Sequence, residues 1–579
     1  MNLDLLKGSR TRILAAVILV IVAIFVIRLF YLQVIKYDYY VGLATEEQQT
    51  IFDIPASRGE IYVKSGDVPV QMVMNQKVYT LTVDPMTVDD KDKLVDTLRQ
   101  IAGGNLRTNF EKLIDRKDTR YQILATKLTR LQAEKIKAVG LSGLRFVEVS
   151  QRVYPEGQLG AQILGFVNAD GEGKYGVEGY SNDSLNGKNG LLKVVTDVSD
   201  VPLTIGNNNV RVPKVDGENI VLTIDRNVQS KVESALAAGL ERTGATKGSA
   251  IVMDPRTGKI LAMANLPTYN PAEYNKVEDA ALFNNNTISA PYEPGSDVKT
   301  FTLATGIDKN VVKASDTYNN TDSITVAGTT IGNATKGHTG IISFQTALTW
   351  SLNTGFVTIA QRLGDGTNIT RSARDTMYEY FHDRLRLGQL TGIELANEAK
   401  GTVISPEEEQ GNAFRYSNMS FGQGLDATLI QVASGFSALV NGGDYYKPTV
   451  IDGKMVNGEF QQNPTPAPLQ AGVVQRSTSD QIKTATHDAR ASSFGYTDRK
   501  GYYIGGKTGT SQVSVPGGYS TTETIGTYLG FGGGDQTEYV IMVEVSGKDR
   551  QLQGARDALP IFTDISNWML DYLKIQPKA

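Results

Sequence analysis

Residues 13–32 read Ile-Leu-Ala-Ala-Val-Ile-Leu-Val-Ile-Val-Ala-Ile-Phe-Val-Ile-Arg-Leu-Phe-Tyr-Leu, with Arg28 the one charge. In hydrocarbon every backbone N–H and C=O must find its partner inside the segment. A run of this length is therefore helical, and it is long enough to cross a bilayer. Lys7, Arg10 and Arg12 precede it, a bias that keeps the N-terminus in the cytoplasm. The rival reading is a cleaved signal peptide, which has a shorter apolar core and a small-residue cleavage site; no Ala-x-Ala follows here. The expectation is a cytoplasmic tail over 1–12, an uncleaved anchor over 13–34 and an extracytoplasmic remainder, a single-pass protein of the cell membrane. Arg28, near the outer end, either snorkels to the headgroups or contacts the helices of a membrane partner.

The rest of the chain is too long for one core at 579 residues in all, so several domains are expected. A net charge of −4 gives no sign of a nucleic-acid partner. With no cysteine there is no disulfide and no thiolate metal site, and nothing calls for a cofactor. The histidines, His338, His382 and His487, lie away from the motifs described next, so a Ser-His-Asp triad has no obvious histidine.

Three short stretches carry chemistry. Tyr292-Glu293-Pro294-Gly295-Ser296-Asp297-Val298-Lys299 places a serine three residues before a lysine, which puts both on one helical face. A serine hydroxyl needs an adjacent base, and a lysine serves if burial and neighbouring charge lower its pKa. Pro294 and Gly295 suit a tight entry into a helix starting at Ser296. Alone, a Ser-x-x-Lys match is more often a solvated helix face. But Ser351-Leu352-Asn353 follows, and then Lys507-Thr508-Gly509-Thr510. This ordered set is a known signature of penicillin-binding proteins and class A β-lactamases.

On these motifs the chain resembles a class B penicillin-binding protein, a membrane-anchored peptidoglycan D,D-transpeptidase, over nearly its whole length. The resemblance implies a substrate, the stem peptide ending in D-Ala-D-Ala, and acylation by β-lactams. Ser296 would be the nucleophile and Lys299 its base. Ser351 would relay a proton to the leaving amine, and Asn353 would bind Lys299 and the substrate amide. Lys507 would supply a positive field, Thr508 and Thr510 hydroxyls would hold the terminal carboxylate, and the N–H groups of Ser296 and Thr510 would form the oxyanion hole. Gly509 would let substrate lie close to the strand edge. The family works beside a polytopic glycosyltransferase, in division or elongation complexes; glutamate second in Tyr292–Ser296 looks more like the division branch.

The expected fold class is α/β (α+β): one transmembrane helix, an elongated β-rich pedestal over 35–215 with an inserted head of helices over 86–140, and a transpeptidase domain over 216–579. Arg58-Gly59-Glu60-Ile61 resembles the element that opens the pedestal, although Tyr62-Val63-Lys64 replaces its usual Asp-Arg continuation. Arg152–Gly157, Gly176-Val177-Glu178 and Leu185-Asn186-Gly187 resemble later parts of it. Strand-like runs at Asn219–Asp225, Gly248–Asp254 and Lys259–Ala264 open the transpeptidase domain, which ends in an antiparallel sheet and a packed helix, with a helical lobe between. Asp297 stands where the family often has threonine, and Val298 where it has phenylalanine. A carboxylate there either approaches Lys299 and raises its pKa or points to solvent. Two other readings are a β-lactamase, for which no spacing identifies a water-activating base, and a membrane-anchored β-lactam-binding scaffold or receptor without turnover. No glycosyltransferase domain fits before residue 240.

Overall fold

The computed structural model describes residues 9–40, 49–195, 210–515 and 517–578; Lys7 and most of the expected cytoplasmic tail lie outside them. The chain forms two compact units, the first combining the segment up to Ser57 with Gly187–Gly217. It contains the helix Ser9–Phe30, which runs on as a π-helical turn over Tyr31–Ile35. Among the described residues its apolar side chains stay largely exposed: Leu19 and Ile27 are each 68% exposed. Arg10–Ile35 is long and apolar enough to cross a membrane, as the sequence predicts. The Arg28 guanidinium sits over the Tyr31 ring at 5.5 Å. The unit also holds an antiparallel sheet of Gln49–Ile54, Gly190–Val195 and Val210–Val212.

The second unit, Arg58–Asn186 with Glu218–Ala579, is a mixed α/β body built on two sheets. One is five-stranded and antiparallel, in the order Ile260–Leu266, Lys247–Met253, Thr537–Ser546, Gly518–Gly533, Tyr503–Val515. Its strands are apolar on both faces, because successive side chains point to opposite sides and both sides are covered. Ala250, Val252, Ile541 and Val543 pack on the helices Arg226–Thr243 and Leu559–Tyr572, through Val228, Val232, Phe562 and Ile565. Their neighbours Ile251, Met253, Val540 and Met542 join the larger core with Phe301, Phe436 and Ile482. In that core lies the helix Lys299–Asp308, with all ten residues buried. Its threonines are reconciled to burial by bonding backbone carbonyls, as Thr302 does to Ser420 O at 2.7 Å.

The other sheet is seven-stranded and corrects one expectation. In it Asn219–Asp225 pairs with Ile61–Ser65 and Ile451–Val456. Which sheet a strand joins is settled by partners far off in sequence, and its local pattern is silent on that. Gln122–Leu128, inside the stretch expected to be helical, is a strand on Val68–Val83, which also pairs with Leu144–Val153. The helices Lys91–Ala102 and Arg130–Ala138 are present as expected. Three of the pedestal-like stretches meet: Arg58 and Arg152 both pair with the buried Glu178 carboxylate, at 2.6 and 2.7 Å. That network stands although the usual Asp-Arg continuation is missing.

Candidate active site

Gly295–Val298 forms a 3₁₀ turn and the α-helix begins only at Lys299, so Ser296 precedes the helix rather than opening it. In a 3₁₀ turn residues three apart eclipse, and the serine and lysine still meet. Gly295 sets the turn. Its φ is +57°, and an added Cβ would lie 2.9 Å from Thr510 O. The turn is therefore clamped against the Tyr503–Val515 strand, and Gly295 N donates to Gly422 O at 3.0 Å on the other side.

Lys299 Nζ is the hub. It lies 2.9 Å from Ser296 Oγ, 2.7 Å from Ser351 O, 3.1 Å from Ser351 Oγ and 2.8 Å from Asn353 Oδ1. Ser351 sits on the turn between the helices Phe344–Thr349 and Asn353–Arg362 with φ +57°. A left-handed serine costs on the order of 1–3 kcal/mol, and here that conformation aims both its carbonyl and its hydroxyl at Lys299. Asn353 is held from behind, since its Nδ2 donates to Gly332 O at 3.0 Å. Lys507 arrives from the Tyr503–Val515 strand. Its Nζ donates to Ser351 Oγ at 3.0 Å and to Thr508 O at 2.9 Å.

The three motifs thus converge on one hydroxyl. Beside them is a cavity of about 500 Å³ lined by Ser296, Ser351, Asn353, Thr508, Thr510 and Trp350, among others. Thr510 Oγ1 accepts from Gly554 N at 3.2 Å and keeps its own proton to donate. Gly509 does not line the cavity. A Cβ on it would meet Thr527 Oγ1 at 2.1 Å and Asp297 Oδ2 at 2.7 Å. Its missing side chain makes room for Asp297 and Thr527 beneath the strand. Asp297 is fully buried and does not point to solvent.

Burial drives the electrostatics. Lys299 is held well below the usual lysine range, first by desolvation and then by the charge of Lys507, with Asp297 opposing. Lys507 is lowered by burial to about 8, again with Asp297 opposing. Asp297 is raised by burial to about 7, against the bond from Thr527 and the attraction of both lysines. Among the described residues no histidine reaches Ser296; His338 stacks on Trp350 with ring centres 4.3 Å apart. Sequence reasoning missed Thr527, which binds Asp297, because a lone threonine in a strand gives no signal. It quoted Glu293 without seeing its work: Oε1 accepts from Gly424 N at 2.8 Å and from Tyr519 Oη at 2.9 Å.

A serine beside a buried lysine, bridged by a second serine to another lysine on a sheet edge, defines a serine acyltransferase of the penicillin-recognising type. Comparison with known proteins agrees. Residues 248–567 match the model of the penicillin binding protein transpeptidase domain, and residues 53–222 that of the penicillin-binding protein dimerisation domain. The chain belongs to the class B penicillin-binding proteins. It is 30% identical to stage V sporulation protein D of Bacillus subtilis, over 98% of this chain and 87% of that one. It is 25% identical to the probable peptidoglycan D,D-transpeptidase PenA of Neisseria meningitidis, over 99% and 94%. Penicillin binding protein 2X from Streptococcus thermophilus shares the fold, with a TM-score of 0.73 at 22% identity over 91% of this chain and 80% of that one.

Proposed function

We propose that the protein is a peptidoglycan D,D-transpeptidase that cross-links stem peptides through an acyl-enzyme on Ser296. The observation that carries this reading is the set of contacts around Lys299 Nζ. It brings the amine to Ser296 Oγ at 2.9 Å, and burial and the neighbouring Lys507 charge hold the amine well below the usual lysine range, which favours the neutral base. It donates to Ser351 O and Asn353 Oδ1, and its lone pair faces Ser296 Oγ and takes the serine proton. Ser351 Oγ is left to Lys507.

The steps follow from that arrangement. Lys299 removes the Ser296 proton as Oγ bonds to the carbonyl carbon of the penultimate D-alanine. The oxyanion is met by the N–H groups of Ser296 and Thr510. The C–N bond to the terminal D-alanine breaks, and the proton held by Lys299 passes through Ser351 Oγ to the leaving amine. An amine of a second stem peptide then attacks the ester, restoring Ser296 and leaving a cross-link. Lys507, Thr508 and Thr510 hold the terminal carboxylate. A β-lactam enters as an analogue of the donor and stays as the ester.

The helix over 13–34 anchors the enzyme with its N-terminus in the cytoplasm, and the segment up to residue 215 serves as the pedestal. A polytopic glycosyltransferase of the division or elongation machinery supplies the strands. The test is turnover on a stem-peptide donor with an amine acceptor. Release of D-alanine with formation of the cross-link supports the reading. Acylation by penicillin with no turnover on peptide would make the protein a β-lactam-binding receptor instead.

A further inference from the structure

Asp297 stands between the nucleophile and its base in sequence, yet its side chain leaves the groove and goes beneath the Lys-Thr-Gly strand. It occupies the space that Gly509 leaves open. Thr527 Oγ1, on the Gly518–Gly533 strand, donates to Oδ2 at 2.6 Å. The other oxygen, Oδ1, is buried with no hydrogen-bond partner. A carboxyl placed so is costly, and nothing in the packing alone requires one.

The charged and titratable groups around it come from every neighbouring element. Lys299 opens the helix that follows its turn, and Lys507 lies on the strand above. Tyr528 lies on the next strand, and Tyr292, just before the turn, has a buried hydroxyl without a partner. Glu544 is the cross-strand neighbour of Thr527 and acts on Tyr292. Of these, only the two lysines share an atom of the active site. Lys299 Nζ and Lys507 Nζ lie 3.1 and 3.0 Å from the same hydroxyl, Ser351 Oγ. Two ammonium groups on one buried hydroxyl repel strongly. One negative charge beneath them offsets one positive charge and not two. The bonding says which lysine keeps its proton. Lys507 has only acceptors around it, Thr508 O, Thr508 Oγ1 and Ser351 Oγ, whereas Lys299 faces the serine that must lose a proton.

We propose that Asp297 is a positioning residue for the reaction: it supplies, from beneath the Lys-Thr-Gly strand, the counter-charge that keeps Lys507 an ammonium while Lys299 stays neutral. One lysine then receives the substrate carboxylate and the other takes the serine proton. The inference rests on the proposed transpeptidase chemistry and adds a residue to it. With an uncharged side chain at 297, the Lys507 ammonium would face its burial and the neighbouring lysine without compensation. The burial-driven shifts bracket the working range near neutrality. Below it Asp297 takes up a proton and the counter-charge is lost. Above it Lys507 loses its own proton.

The experiment is the second-order rate of acylation of the full-length protein by a fluorescent penicillin, measured across pH for the wild type, Asp297→Asn and Thr527→Val. Asp297→Asn keeps shape and removes charge. Lys507 then deprotonates at lower pH, so the alkaline limb of the profile moves down by about one unit or more, and acylation on that side falls about tenfold beyond any fall near neutrality. Thr527→Val keeps the charge and removes the bond that steadies it. The acid limb therefore moves up while the alkaline limb stays. Profiles of wild-type shape, scaled by one factor at every pH, would overturn the proposal and leave Asp297 a packing residue. Should Asp297→Asn fail to fold, the acid limb of Thr527→Val decides alone, and an unmoved limb overturns it. A wild type that is not acylated at all would instead overturn the chemistry on which the inference rests.

Discussion

Replacing Lys507 by alanine separates two effects that one ammonium produces. The group is 4% exposed and donates to Ser351 Oγ at 3.0 Å and Thr508 O at 2.9 Å. Its first effect is to bind the carboxylate of the substrate or of a β-lactam. A charge-assisted hydrogen bond contributes about 1.5–3 kcal/mol, so its loss slows acylation roughly 10- to 150-fold. Its second effect is on the base. The charge of Lys507 helps hold Lys299 low; without it the Lys299 pKa rises, and more alkaline solution is needed to make the neutral amine. The acid limb of the pH–acylation profile therefore moves up, and the deficit is largest at low pH. The assay is the second-order acylation rate by penicillin across pH, with thermal unfolding as a check on folding. A folded variant with the wild-type rate, or with a deficit that is the same at every pH, would refute the reasoning.

Gly509→Ala places a methyl 2.1 Å from Thr527 Oγ1 and 2.7 Å from Asp297 Oδ2, so it should lose acylation while the cavity side of the strand stays open; a rate near that of the wild type would show that the strand yields. Phe562→Ala empties a fully buried site under the five-stranded sheet and should cost about 3–5 kcal/mol, read as a lower denaturation midpoint with the denaturant slope unchanged. Asn353→Asp puts a carboxylate 2.8 Å from Lys299 Nζ and should move the acid limb of acylation to higher pH, because a nearby negative charge favours the ammonium; an unmoved limb counts against Lys299 as base. Exchanging residues 13–32 for an unrelated transmembrane helix tests whether the proposed glycosyltransferase partner is met through this helix: lost co-purification places the pairing there, whereas persistence of pairing and cell-wall synthesis makes the helix only an anchor.

Much of the site was legible because the chain resembles a family whose chemistry is carried by three short motifs in a set order. Ser296, Lys299, Ser351, Asn353 and Lys507 could be named from three short motifs, and the structure brings them within hydrogen-bond distance of one another. The strands Lys247–Met253 and Thr537–Ser546 were legible because near-continuous apolar runs mark strands buried on both faces. What stayed hidden depends on partners distant in sequence. Asn219–Asp225 reads as a strand, but its membership of the seven-stranded sheet is set by Ile61–Ser65 and Ile451–Val456. That Gly509 leaves room for Asp297 beneath the strand is equally invisible in the sequence. The left-handed turn at Ser351 has no signature in a serine, since it is imposed by the helices on either side.

The central claim is that Ser296 is the residue acylated, with Lys299 as its base. Mass spectrometry of the protease-digested protein after incubation with penicillin tests it most directly. The account predicts one adduct, on the peptide containing Ser296, that is absent in Ser296→Ala and forms far more slowly in Lys299→Ala. An adduct on another peptide, or labelling that survives Ser296→Ala, would contradict it.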